Sequence, residues 1–250
     1  MKKIIWFFLF ALMSLSSIGQ SSLRDSSINL SMIGATFAYQ YPGGDMADRF
    51  GNNFNVGGVF QVKLKSNFVF GFDGNFLFNE HVRENGILDS LRDSDGHFIN
   101  AQGQFASIAL VERGFKFELK AGKIFPVIGP NKNSGLLATV GAGILQHKIR
   151  FETKGGSYPS IEGDYAKGYD RLTNGLSVTE FLGYINFGNK RLVNFYGGLE
   201  FTQAFTQSRR DFDFDLQKKD TRKRIDLLFG FRVAWIIPIY KRAPRAYYFD

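Results

Sequence analysis

Two neighbouring segments, 54–64 and 68–78, place a large apolar side chain at almost every second position, and only three residues separate them. The opposite face of each segment carries Asn, Gln, Lys or Asp. This period of two predicts two β-strands joined by a tight turn at Lys65-Ser66-Asn67. Five phenylalanines line one face of 68–78. Such a strand suits a membrane barrel, in which lipid covers one face and a polar interior covers the other.

The same alternation recurs along the chain and predicts an all-β membrane protein, an eight-stranded antiparallel transmembrane β-barrel. One stretch is ambiguous, because Glu112-Arg113-Gly114 is compatible with a turn or with a bulge. Outer-membrane barrels have an even number of strands and long loops on the outside, so we interpret 103–124 as one strand with a bulge near Gly114. The predicted strands are 28–41, 54–64, 68–78, 103–124, 135–150, 176–187, 193–206 and 224–239.

The interior of an eight-stranded barrel is only wide enough for its own side chains. The side chains that alternation directs inward carry charges of both signs, and buried charges are costly unless they are paired. We therefore expect a filled polar interior and not an open pore. The predicted interior network consists of Lys63, Asp73, Glu118, Glu180, Glu200, Asp226 and Arg232.

The N-terminus has the pattern of a secretory signal. Lys2 and Lys3 precede an apolar run over 4–13, and small residues lead up to Gly19, so we predict cleavage after residue 19. A transmembrane anchor would need about 20 apolar residues. The expected mature domain is a single barrel over 20–250 with a short C-terminal tail at 241–250. The chain has no cysteine, which excludes disulfides, lipidation of a cysteine and thiolate metal sites.

The basic charge points to an anionic partner. Removal of Lys2 and Lys3 with the signal reduces the formal net charge from +8 to +6. For an exported chain we expect outer-membrane lipid and lipopolysaccharide as partners, no nucleic acid, and a monomeric barrel. Basic side chains of the loop 207–223 could bind lipid A phosphates through charge-assisted hydrogen bonds, or they could be solvated and self-paired. These residues are Arg209, Arg210, Lys218, Lys219, Arg222 and Lys223.

Two further loop features allow more than one reading. Asp211, Asp213 and Asp215 alternate and would lie roughly 6.6 Å apart on one face of a strand. They could hold Ca²⁺, but the glycine and distal glutamate of a calcium loop are missing, so we expect them to pair with nearby Arg and Lys. The loop 152–175 carries exposed tyrosines that are candidates for contact with a protein partner or for a lid over the barrel mouth. These are Tyr158, Tyr165 and Tyr169.

The motifs do not point to catalysis. The segment Asp93-Ser94-Asp95-Gly96-His97 brings Ser, Asp and His into one loop, which is why a lipid A-modifying barrel enzyme is the alternative function. The segment is hydrophilic and rich in Gly and Asp, so we interpret it as a surface loop. We expect no enzymatic activity, no cofactor and no metal, and a structural role for His147. No P-loop, zinc motif or nucleophile elbow is present.

Several segments resemble those of a known class. The chain is similar to the small outer-membrane β-barrel proteins of Gram-negative bacteria, of the OmpA- and OmpX-like size class, and most similar to Bacteroidota-type members that include PorT-like proteins. The resemblance implies a non-enzymatic structural or interaction protein, and for PorT-like members an accessory role in type IX secretion. A narrow channel is a third option. The segments concerned are 18–20, 129–135, 167–171 and 235–240.

One departure from this class concerns the C-terminus. Such barrels usually end on an aromatic strand, whereas here the tail 241–250 follows the last predicted strand. We place the assembly signal at 232–240 and not in the tail.

Overall fold

The computed structural model describes residues 26–84, 86–188 and 193–239. The predicted signal peptide and the C-terminal tail lie outside the described residues. No helix in the described part of the chain is long and apolar enough to cross a membrane. The strands are β1 Leu30–Gly44, β2 Asn53–Lys63, β3 Phe68–Asn79, β4 Phe98–Ile99, β5 Phe105–Phe125, β6 Gly135–Lys154, β7 Thr173–Phe187, β8 Asn194–Ser208 and β9 Lys223–Ile239. One short helix, α1 Asp45–Arg49, and the 3₁₀ turns Asp89–Leu91, Pro159–Ile161 and Tyr165–Gly168 lie in the connections.

Eight of these strands form a closed antiparallel barrel, which confirms the predicted fold class. The two-residue strand β4 pairs only with β5 and is not part of the ring. Each of the other strands pairs with the next one along the chain, β3 pairs with β5, and β9 pairs with β1 to close the barrel. The ladder that starts at Ser31 passes through every strand and returns to β1 at Tyr41, ten residues further on. A shear of ten over eight strands requires strongly tilted strands and a narrow lumen.

The ambiguous stretch is one strand, as predicted, but the predicted bulge is wrong. Gly114 sits in an unbroken ladder between Leu77 of β3 and His147 of β6. A Cβ at Gly114 would lie 2.5 Å from the backbone oxygen of Gln146. The glycine therefore allows close approach of β6 at this position and does not insert an extra residue.

An apolar band surrounds the barrel. On β8 its outward side chains run from Phe195, which is paired with Trp235, up to Phe205, which is paired with Ile225. Ten residues at about 3.3 Å each, on a strand tilted by about 40°, span roughly 25 Å along the barrel axis. This is about the height of the lipid-facing band of an outer-membrane barrel.

The interior is stacked in layers along the axis. An apolar cluster below the extracellular loops includes Phe50, Leu77 and Leu145, and a second cluster near the periplasmic end includes Met32, Phe181 and Phe187. Charged side chains fill the space between the two clusters. Alternation along the strands explains this arrangement, because every second residue must fit into the same narrow lumen.

The periplasmic end is closed by the residues that precede β1. The ammonium group of Lys63 lies 2.9 Å from Ser27 Oγ, 3.1 Å from the carbonyl of Ile28 and 2.9 Å from Asn133 Oδ1. Asn133 also accepts a hydrogen bond from the backbone N–H of Ile28. Lys63, which was predicted for the interior network, thus lies buried at the periplasmic end and ties the incoming chain to the turn after β5.

Candidate functional site

Six ionisable side chains form a central charged layer across the lumen: Asp73, Lys116, Glu118, Lys120, Glu200 and Arg232. Lys120 Nζ lies 2.5 Å from Asp73 Oδ2, and Arg232 Nε lies 2.6 Å from Glu200 Oε2. Lys116 Nζ bridges Glu118 at 3.3 Å and Glu200 at 3.2 Å. Three cations face three anions, and all six side chains are buried. The layer is formally neutral and fills the middle of the barrel.

Lys116 and Lys120 belong to this layer although they are not among the residues predicted for the interior network, and the strand pattern could have placed them there. Both lie at even spacing from Glu118 on β5 and therefore share its face.

Glu180 was predicted to belong to the interior network, but its side chain points outward. Its neighbours Thr179 and Phe181 point into the lumen, so the alternation of β7 directs Glu180 outward, where it is exposed among lipid-facing residues. Thr179 holds the inward position instead and donates a hydrogen bond to Glu118. The prediction was wrong because a carboxylate was assumed to avoid the lipid face.

Asp226 belongs to a separate polar layer closer to the extracellular end. Its Oδ2 atom lies 2.9 Å from His147 Nε2 and accepts a hydrogen bond of 2.5 Å from Thr206. The rings of His147 and Phe50 pack in a T-shaped arrangement, with centroids 5.4 Å apart and planes at 87°. His147 is thus held by contacts with Asp226 and Phe50.

An ordered lid covers the extracellular mouth. We use this term for α1 together with the connections 80–84, 86–104, 155–172 and 209–222. Its apolar underside packs onto the upper end of the barrel and includes Met46, Ile87, Leu88, Phe98 and Ile161. Because the segments share one apolar cluster with strand residues such as Leu145 and Leu228, the lid and the upper barrel form one core.

Arg171 is the polar centre of the lid. Its guanidinium lies 2.9 Å from Glu84 Oε2, 3.2 Å from Asp213 Oδ2 and 2.5 Å from Asp215 Oδ2. Arg49 approaches the same Glu84 at 2.6 Å. Arg171 is 6% exposed and has a positive φ of 52°, which non-glycine residues rarely adopt. Arg171 therefore joins three separate connections, and we call this group the latch of the lid: Arg171, Glu84, Asp213, Asp215 and Arg49.

The electrostatics of the latch favour its charged form. Burial lowers the pKa of Arg171, but its hydrogen bonds to Asp215 and Glu84 outweigh burial and raise the pKa above the ordinary value. Burial raises the pKa of Glu84, but the charges of Arg49 and Arg171 outweigh burial and lower it. For Asp213, burial dominates over Arg171 and the pKa lies above the ordinary value. At neutral pH, the ion pair between Arg171 and Glu84 therefore stabilises the closed lid more than the ion pair between Arg171 and Asp213.

The three loop tyrosines are divided between two roles. Tyr158 and Tyr169 are buried in the apolar cluster of the lid, and Tyr158 donates a hydrogen bond of 2.8 Å to the carbonyl of Leu91. Tyr169 packs against Phe214 at 5.3 Å. Tyr165 is 64% exposed on the outside. The geometry of Tyr158 and Tyr169 matches the lid alternative, and only Tyr165 is available for a partner.

Of the six basic residues predicted to bind lipopolysaccharide, three are paired with acids and three form no ion pair among the described residues. Arg210 forms a bidentate pair with Asp170, at 2.8 and 2.6 Å. Lys219 pairs with Asp211, and Arg222 pairs with Asp45. Among the described residues, Arg209, Lys218 and Lys223 form no ion pair. These three exposed side chains keep their charge available to an external anion.

Arg209 and Lys223 lie together at a groove on the outer face of β7–β9. The groove has a volume of about 480 Å³ and is lined by Asn174, Phe205, Thr206, Gln207, Arg209, Lys223, Arg224 and Ile225. Arg209 donates a hydrogen bond of 2.5 Å to Asn174 Oδ1 and retains further donors. The apolar part, Phe205 and Ile225, is at the upper edge of the lipid-facing band. The groove therefore combines basic groups with an apolar surface at the membrane boundary.

Other predicted features have plain structural roles. Asp213 and Asp215 pair with Arg171, and no group of three or more potential ligands among the described residues is placed to hold a metal ion. His97 is exposed, with Nδ1 3.8 Å from Asp93 Oδ1. No described serine forms a hydrogen bond with His97. Arg49 and Glu84, which complete the latch, were missed because loops carry no periodicity that would place them.

Comparisons with known proteins give weak matches only. No family model matches the chain, and no curated protein matches it. Neisserial surface protein A (NspA) is 11% identical, with 82% of this chain and 96% of that chain covered and a TM-score of 0.38. Ail, the attachment invasion locus protein of Yersinia pestis, is 12% identical, with 84% and 99% covered and a TM-score of 0.30. A second Ail structure, in complex with the heparin analogue sucrose octasulfate, has the same values.

The assignment of the fold rests on the closed ladder of this chain. A closed eight-stranded barrel with an apolar band of about 25 Å and charged groups inside has the architecture of outer-membrane barrels. The protein is an integral outer-membrane β-barrel.

Proposed function

We propose that this protein is a non-enzymatic interaction protein of the outer membrane, which presents its ordered lid at the cell surface. The observation that carries the proposal is the continuous filling of the barrel. The central charged layer blocks the lumen, and the lid shares a core with the upper barrel. A barrel filled in this way offers an ordered outer surface and leaves no open path for solutes through its described lumen.

Lipopolysaccharide is the proposed lipid partner, and Arg209 and Lys223 are its proposed contacts. They lie beside Phe205 and Ile225, so a phosphate could bind the two cations while an acyl chain covers the apolar surface. Lys218 is the third of the six basic residues that forms no ion pair among the described residues. Arg210, Lys219 and Arg222 are engaged by acids and are not proposed as contacts.

The lipid contact can be tested with paired variants. We expect Arg209→Ala/Lys223→Ala to reduce the affinity for purified lipopolysaccharide about tenfold, because two charge-assisted hydrogen bonds are lost. Lys167→Ala is the matched control, since this exposed lid lysine pairs with Asp164. Equal affinity of the double variant and the control would contradict the proposed contact.

The finer proposal is an accessory role in envelope secretion, of the type IX kind, which is supported by the sequence resemblance to PorT-like proteins. Disruption of the gene is then expected to reduce delivery of secreted proteins to the cell surface, measured by quantitative proteomics of the surface fraction. Re-expression of the intact gene should restore delivery. Normal delivery in the disrupted strain would remove this role and leave the general interaction role.

The enzymatic alternative makes a different prediction. A lipid A-modifying enzyme would change the mass spectrum of lipid A in an overproducing strain, and His97→Ala would abolish the change. We expect the spectrum to be identical with and without overproduction. A new lipid A mass that depends on His97 would refute the non-enzymatic proposal.

A further inference from the structure

The carboxylate of Glu180 faces lipid near the middle of the apolar band. In the ladder Glu180 lies between Val140 of β6 and Phe201 of β8, and its neighbours on the same face of β7 are Val178 and Leu182. Phe201 lies between Phe195 and Phe205, which mark the lower and upper edges of the band on β8. An ionisable group at this depth is costly and is usually retained for a function.

Glu180 differs from the interior charges in having no ion-pair or hydrogen-bond partner among the described residues. The central charged layer pairs each of its acids, whereas no ion pair or hydrogen bond joins the Glu180 side chain to another described residue. Lys123 of β5, two strands away, lines the same outer cavity as Glu180 but forms no ion pair with it, and its ammonium group lies over the rings of Phe68 and Phe125 at the periplasmic edge. Within the described part of the barrel, no donor thus reaches the carboxylate of Glu180.

The surface beside Glu180 is shaped to receive another molecule. Ala121, Ala138 and Val140 form a low floor on β5 and β6. Larger side chains rise on both sides of it, Phe70 and Phe125 on one and Leu182 and Phe201 on the other. Small residues let a partner's backbone come close, which is the usual device of contacts between membrane-spanning segments.

We propose that this face of β5–β8 is a lateral docking site for a membrane-spanning segment of a different outer-membrane protein that presents Arg or Lys opposite Glu180. Depth and charge select this occupant. Lipid head groups lie at the edges of the band and do not reach its middle. A membrane-spanning protein segment does reach it, and a cation at that depth needs an acid as partner just as Glu180 needs a base.

A second copy of this chain is the less suitable occupant. Two copies in the same membrane have the same orientation, so a symmetric contact centred on Glu180 would bring two like carboxylates together at one depth. An asymmetric contact would need an outward Lys or Arg in the middle of the band. The described barrel strands place none there: Lys123 lies at the lower edge, and Arg113 lies at the upper edge.

The test is photo-crosslinking in the native outer membrane. Benzoylphenylalanine is placed at Val178 beside Glu180, and at Val56 as a matched control. Val56 faces lipid at similar depth on β2, four strands away around the ring of eight. We expect a single heterologous product from position 178 and none from position 56. Mass spectrometry should locate its crosslink in a membrane-spanning segment that carries Arg or Lys.

Charge substitutions then decide whether Glu180 holds the contact. Glu180→Leu and Glu180→Gln should each reduce the crosslinked fraction at least fivefold, with folding verified by the shift between heated and unheated samples on gels. Glu180→Lys should abolish the product, and an acid introduced at the partner's basic residue should restore it. No product at position 178, a product containing a second copy, or a yield that is unchanged in Glu180→Leu would each overturn the proposal.

The lateral face around Glu180 lies away from the lid and from the groove that contains Arg209 and Lys223. Arg209→Ala/Lys223→Ala is expected to leave the crosslink at position 178 unchanged, so failure of the proposed lipid contact and failure of lateral docking are distinguishable.

Discussion

Replacement of Arg171 by Ala should destabilise the closed lid and leave the barrel strands paired. Arg171→Ala removes the guanidinium that pairs with Glu84, Asp213 and Asp215, and it leaves Asp213, which is 1% exposed, without a cation at 3.2 Å. Loss of one partner from a buried pair costs about 3–5 kcal/mol. The barrel hydrogen bonds are not affected, so the cost falls on the closed state of the lid.

The expected result is a large rise in local opening. At about 1.4 kcal/mol for each tenfold change, the open population of the lid should increase by roughly 100- to 4,000-fold. Hydrogen exchange of the backbone N–H groups of Ile149, Arg209 and Phe214, which bond across the lid, measures this directly. Exchange in the lower part of the barrel should stay unchanged.

Two control variants separate the contributions. Lys167→Ala breaks an exposed pair with Asp164, which contributes about 0–1 kcal/mol, so its exchange should match the wild type. Arg171→Gly removes the same ion pairs as Arg171→Ala but relieves the positive φ of 52°, and it should open less by about 1 kcal/mol. Exchange in Arg171→Ala within twofold of Lys167→Ala would refute the latch.

Three further predictions concern pH, the interior and transport. The pKa of Glu84 is lower in the folded lid than in the unfolded chain, where it is about 4.3, so ionised Glu84 stabilises the lid above that pH and the stabilisation is lost as the pH falls through the folded pKa. The open population of the lid, measured as exchange relative to the intrinsic exchange rate at each pH, should therefore rise below about pH 4 and rise less steeply in Glu84→Gln. The raised pKa of Asp213 has the opposite effect and weakens this trend. Arg232→Met should lower the free energy of unfolding in urea by about 3–5 kcal/mol, and adding Glu200→Gln should restore part of it; equal stability of wild type and Arg232→Met would exclude a structural role of the pair. The protein should show no ion conductance in planar bilayers, and steady single-channel currents would contradict the filled lumen.

Much of the fold could be predicted from local pattern. Each barrel strand has a period of two, and the parity rule resolved 103–124 into one strand, since membrane barrels cannot leave an edge unpaired. The bulge at Gly114 was a false prediction, because a glycine in a strand is equally consistent with close approach of the neighbouring strand. That distinction depends on what lies opposite, in this case His147.

The candidate site was harder to predict, for reasons visible in single residues. Arg209 and Arg210 are adjacent in sequence, yet one faces the outer groove and the other pairs with Asp170. Glu84 and Arg171 are 87 residues apart and meet only when two connections fold over the mouth. Glu180 was assigned by chemical type, whereas the pleat of β7 decides its side.

The architecture follows from the sequence alone, because alternation is a local property: a strand with lipid on one face and a crowded lumen on the other must repeat every two residues. The sequence also determined that charges of both signs enter the lumen. The tertiary structure determines which charges meet, closes the loops as a lid around Arg171, and leaves Glu180 without a partner among the described residues. These outcomes depend on the shear of the closed ladder and on contacts between distant loops, because pairing energies arise only from side chains brought together in space.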